Sequence, residues 1–150
     1  MTDHRALAIG YFNAAWDLID AAARTPAQDQ EMLSIAMASR QHWVEAEGSA
    51  ENLIVADWQV AHAASLAGLS DTALSFARSA VDRAADNDTD LPTWLKASVH
   101  EGMARAHACA GDAVGYEREA AVTRKLLDAV DDADDRELVA GQLASITAPG

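Results

Sequence analysis

Apolar residues return every three or four positions along nearly the whole chain, and strand-like alternation is absent. That period predicts seven helices joined by short turns. The first, His4 to about Ala23, is apolar around most of its circumference, with Asn13, Asp17, Asp20 and Arg24 forming one narrow polar stripe. Such a helix is covered on two sides. Thr25-Pro26 supplies a cap followed by proline at the first helical position, and Gln28 completes a capping box, so the second helix runs to about Glu45 and stops at Gly48. Ser49 caps the third helix, which carries Leu53, Ile54, Val55, Trp58, Val60 and Leu66 and ends at Gly68. Ser70 caps the fourth, where Ala73, Leu74, Ala77, Ala80, Val81 and Ala84 mark a buried face opposite Arg78, Asp82, Arg83 and Asp86.

The polar stretch 86–92 is the most loop-like in the chain and the expected site of proteolytic nicking. Leu95, Val99, Met103, Ala106 and Ala110 then form one face of a fifth helix, beside which Gly102 lets a neighbouring helix come close. Gly111-Asp112 ends it. A sixth helix runs from Ala113 to about Val130, and a shorter seventh follows Asp134, with Glu137 at capping-box spacing, through Ile146.

Two segments repeat. "VAHAASLAG" at 60–68 and "MARAHACAG" at 103–111 align without gaps at Ala61/Ala104, Ala63/Ala106, Ala67/Ala110 and Gly68/Gly111, an offset of 43 residues. Each glycine is followed by a new amphipathic helix. The expected architecture is therefore all-α, one domain over residues 1–150, with antiparallel hairpins at about 4–45, 50–87 and 92–130 and a capping helix at about 134–146. One hairpin cannot bury its apolar face alone, so each must stack on the next.

Ala61, Gly68, Ala73 and Ala80 give the chain a resemblance to the tetratricopeptide-repeat class, in which helix pairs form a short right-handed stack. Tyr116 and Thr123 replace the small residues of the second copy, and the period exceeds the usual 34, so the likeness is to the architecture. Residues 36–146, through "ASRQHW", "ENLIVADWQVAHAASLAG", "ALSFARSAVDRA", "GMARAHACAGD" and "DDADDRELVAGQL", also resemble a family of small uncharacterised bacterial proteins of tetratricopeptide-like build. That family brings no catalytic residues to carry over.

Composition sharpens the picture. Alanine dominates the 50% of hydrophobic residues, which suits close helix packing. A single cysteine excludes an internal disulfide framework and fits a reducing compartment, and the N-terminus lacks the basic region and unbroken apolar run of a secretory signal, so a cytoplasmic protein is expected. No membrane-spanning segment is expected. A net charge of −13 argues against nucleic acid as a partner, because phosphate recognition needs a basic surface, and would suit a basic one.

Candidate chemistry is thin. His107 and Cys109 point roughly 200° apart on a helix, so both cannot ligate one ion, and His100 and His107 are separated by about 10 Å along one face. The acidic run "DAVDDADDRE" lacks the glycine and glutamate of a calcium loop and reads as helix-start chemistry, with Arg136 paired to one of these acids or to a neighbouring helix. No nucleophile or phosphate-binding signature occurs, and no cofactor or bound metal is expected. Trp16, Trp43 and Trp94 read as core; Trp58 stands out.

In tetratricopeptide-like stacks the first helix of each hairpin lines a concave groove. Through the glycine register, that resemblance places Trp58, His62 and Ser65 beside Glu101 and Arg105, with Asn13, Asp17 and Asp20 from the first hairpin. The expected function is a non-enzymatic adaptor that holds a protein or peptide segment, as a homodimer covering surplus apolar surface on the first two helices; Arg40, between Met37, Trp43 and Val44, suits an interhelix or interface ion pair. The competing readings are an enzyme, metal-dependent or acting on a small molecule, built from His62, His100, Glu101 and His107, and a structural subunit of a larger regulatory assembly.

Overall fold

The computed structural model describes residues Met1–Gly150 and is all-helical, without a strand. Its helices are α1 (His4–Ile19), α2 (Pro26–Glu45), α3 (Ala50–Leu66), α4 (Ser70–Asp86), α5 (Thr93–Cys109), α6 (Ala113–Leu127) and α7 (Ala133–Ala144). A single 3-10 turn, Asp88–Asp90, occupies the polar stretch before α5. The hairpins α1/α2, α3/α4 and α5/α6 stack in chain order, and α7 packs on α5 and α6. Helices α1, α3, α5 and α7 therefore lie side by side as one layer. No helix is long and apolar enough to cross a membrane.

The corners follow from backbone chemistry. Gly68 (φ +77°) and Gly111 (φ +73°) occupy equivalent places, each in the left-handed region that a side chain disfavours. At both, two crossed hydrogen bonds close the helix end: Leu69 N to Ala64 O and Gly68 N to Ser65 O, then Asp112 N to His107 O and Gly111 N to Ala108 O. The same closure ends α2, but there Glu47 (φ 51°) takes the left-handed position and Gly48 does not. Gly48 instead faces the Trp43 ring, where an added Cβ would stand 3.1 Å from Cε3.

Capping boxes at Thr25/Gln28 and Ser49/Asn52 start α2 and α3 as expected. Other boundaries differ for local reasons. Helix α1 stops at Ile19, because Arg24 folds back outside it and donates from Nη1 to the carbonyls of Leu18 (3.2 Å), Ile19 (3.4 Å) and Ala21 (3.5 Å) while its Nε meets Asp29. It is a cap and does not belong to the polar stripe. Ser70 lies within α4 and makes no capping bond; Leu69 precedes it. Asp132, two residues ahead of the expected Asp134, caps α7 by accepting from Asp135 N at 2.9 Å. Arg136 pairs with no acid; its Nη1 donates to Val130 O at 2.7 Å and closes the chain just beyond α6.

The central helices are enclosed on nearly every side. In α3 every residue from Ala56 to Ala64 is buried, whereas α4 buries only the stripe Ala73, Ala77, Ala80 and Ala84. Small side chains let the layers approach: Ala61 and Ala64 meet Ala73, Ala77, Met103 and Ala106 in one cluster. Arg40 does form an interhelix ion pair, reaching from α2 to the enclosed Asp57 of α3, with Arg83 of α4 at 3.6 Å from the same carboxylate.

Candidate functional site

Four helices turn one face each toward a common groove. On α3 the spacing of Val55, Trp58, His62 and Leu66 keeps them on one side; Phe12, Trp16 and Ile19 do the same on α1, Trp94, Ser98 and Arg105 on α5, and Leu138, Gln142 and Ser145 on α7. The groove encloses about 1030 Å³. From Val55 to Leu66 it extends roughly 16 Å along α3, at about 1.5 Å per residue. Its floor is aromatic and its mouth carries Asp135 and Glu137.

Trp58 anchors the floor. Its pyrrole edge packs against Gly102, where a Cβ would stand 2.7 Å from Cδ1 and 3.2 Å from Nε1, so α5 can approach only because this position is bare. Its indole Nε1 donates to Glu101 Oε2 at 3.1 Å. Glu101 has no exposed surface, and its Oε1 accepts from Arg105 Nε at 3.0 Å and Nη2 at 2.7 Å. The same Nη2 reaches Gln142 O at 2.8 Å and Ser145 Oγ at 2.9 Å, which fastens the end of α7 to α5. Arg105 Nη1 takes part in none of these bonds.

His62 sits edge-to-face against Trp58 (centroids 5.5 Å) and Trp16 (5.6 Å), and the two indoles lie 5.5 Å apart. Burial pushes the His62 pKa well below the usual histidine value, and the positive charges of Arg105 and Arg24 push it further the same way. The imidazole is therefore neutral, and its enclosed Nδ1 has no hydrogen-bond partner.

The expected site residues divide. Trp58, His62, Arg105 and Asp20 do line the groove together. Glu101 lies beneath the floor as the partner of Trp58 and Arg105. Ser65 lines a smaller neighbouring hollow of about 540 Å³ with Cys109 and the C-terminal residues, and its hydroxyl donates back to Ala61 O. Asn13 and Asp17 are exposed and outside the groove, because α1 turns its aromatic side inward. Phe12 joins them, as do Trp16 and Trp94, which the sequence pattern reads as core, and α7, expected as a capping helix, forms one wall. The spacing of Phe12, Trp16 and Ile19 was the available signal for α1; the reading followed the polar stripe instead.

His62, His100, His107 and Glu101 do not converge. His100 Nδ1 is 2.7 Å from Glu119 Oε2, and His107 Nδ1 is 3.0 Å from Asp112 Oδ2. The Asp112 carboxyl is held below its usual range, first by the backbone N–H of Gly115 and then by His107. The helix persists through His107 and Cys109, and burial pushes the Cys109 thiol pKa up. No group of three or more His, Cys, Asp or Glu side chains is arranged to hold a metal ion. Comparison of the chain with family models, with curated proteins and with solved structures found no match.

Proposed function

We propose that the protein is a non-enzymatic adaptor of the cytoplasm whose concave groove holds a segment of a partner polypeptide. The observation that carries this reading is the groove itself: an aromatic floor of Phe12, Trp16, Trp58 and Trp94, open along its length, with polar groups of both signs at its ends. Large rigid indoles give contact area at low entropic cost, and scattered polar groups fix register, which suits a side chain-bearing peptide. The acids at the mouth suit a basic residue of that partner, and a reducing compartment suits an unpaired Cys109.

Leu138 and Trp94 are the residues to alter, because both line the groove and neither belongs to the Trp58–Glu101–Arg105 bonds that support the fold. A photo-crosslinking side chain at 138 should join the protein to one polypeptide in the cells that make it, and Trp94→Ala should lower that yield about tenfold. Crosslinks to no polypeptide, or a yield indifferent to Trp94, would sink the reading.

The first hairpin leaves Leu7, Ile9, Met37 and Val44 exposed. A second copy of the chain is the proposed cover for this exposed apolar surface. Light scattering should give the mass of two chains, and Ile9→Lys should shift it to one. A single-chain mass for the unaltered protein removes the dimer.

A further inference from the structure

The end of the groove at His62 and Arg105 differs from the rest. Both side chains are more than nine-tenths buried, so their polar atoms are fixed in place by the fold. Arg105 is clamped by Glu101, Gln142 and Ser145 through Nε and Nη2, which leaves Nη1 of a preset guanidinium without a protein partner in a side chain that lines both the groove and the neighbouring hollow. His62 is neutral and lines the same wall, with Nδ1 enclosed and unpartnered. An enclosed bare acceptor costs less than an enclosed unmet N–H, so the proton belongs on Nε2. Two donors thus stand together, and an acceptor must answer them.

We propose that this end recognises an acidic side chain of the bound peptide, a Glu or Asp carboxylate that accepts from Arg105 Nη1 and the His62 ring N–H while bulky apolar neighbours rest on Trp16 and Trp58. The proposal rests on the peptide reading given above and adds to it the identity of the central residue. The charges that act on His62 are those of Arg105 and Arg24, both positive, while Asp20 at the end of α1 also lines this part of the groove and Glu101 pairs with Arg105. The acids Asp135 and Glu137 precede Gln142 and Ser145, the α7 partners of Arg105, by about 8–15 Å of helix rise, so they stand toward the other end of the groove.

The test uses acetylated, amidated peptides, Ser-Leu-Phe-Glu-Phe-Leu-Ser and its Gln and Lys counterparts, titrated into the full chain. Tryptophan fluorescence reports binding, since the peptides carry no indole. The Glu peptide should bind at least about tenfold more tightly than the Gln peptide, the usual worth of a charge-assisted hydrogen bond. His62→Phe, checked for helicity, should reduce that ratio several-fold. Equal binding of Gln, or tighter binding of Lys, overturns the carboxylate and leaves the peptide reading standing; a ratio unchanged in His62→Phe overturns the role of His62. Silence from all three peptides removes both proposals. 4-Phenylbutyrate binding as tightly as the Glu peptide would assign the site to a free organic acid and overturn the peptide as its source.

Discussion

Glu101→Ala is expected to destabilise the protein by about 3–5 kcal/mol, more than any other single truncation in the groove wall. Glu101 has no exposed surface and answers three donors: the Trp58 indole and both Nε and Nη2 of Arg105. Alanine would strand a guanidinium that is itself 6% exposed, together with an enclosed indole N–H. The damage would spread to α7, because Arg105 is also what holds Gln142 and Ser145. Urea unfolding should show the loss as a lower midpoint at an unchanged slope. Glu101→Gln should cost less, since an amide oxygen can still accept from Trp58 while leaving the charge of Arg105 unmatched. A loss below about 1 kcal/mol for the alanine variant would mean that water reaches the guanidinium and that the enclosure described here is wrong.

Acid should weaken the fold through His62. In the folded chain this imidazole stays neutral, held there first by burial and then by Arg105 and Arg24, whereas in the unfolded chain it takes a proton near 6.5. Above that pH both states are neutral and His62 contributes no pH dependence. Below it the unfolded state binds one more proton, so stability falls by about 1.4 kcal/mol for each pH unit until the folded-state value is reached. His62→Phe removes the group that titrates and should flatten the profile below about pH 6.5. Parallel profiles for the two proteins, measured by urea unfolding at several pH values, would show that His62 is solvated.

Several features of the fold are legible along the chain because they depend on local chemistry. Gly68 and Gly111 announce their corners, since a left-handed residue after a helix favours glycine whatever packs around it. The 43-residue register they set brings Trp58 and Glu101 to equivalent places on neighbouring parallel helices, and those two residues do touch. The corner at Glu47 is hidden because a charged residue holds the left-handed position that glycine usually takes, while the adjacent Gly48 stands one place further on against the Trp43 ring. On α1 two faces competed. The polar stripe of Asn13 and Asp17 resembled a lining, but stacking against α3 is satisfied by Phe12 and Trp16, and only the neighbour decides that. A capping helix at α7 is legible, but its place along the groove wall is not, because it is fixed by Arg105 through a contact spanning 37 residues.

The contrast between α3, enclosed along its whole inner length, and α4, which commits a single stripe of alanines, bears on how such a chain can change over generations. Outside the residues that pair with Asp57 and His100, substitutions on the exposed sides of α4 and α6 meet water, so those positions can exchange their charges freely. The inner layer accepts almost nothing larger than what it holds. Drift should therefore erase the outer half of the text first, and a distant cousin would keep its small inner residues and two turn glycines long after the remainder had been rewritten.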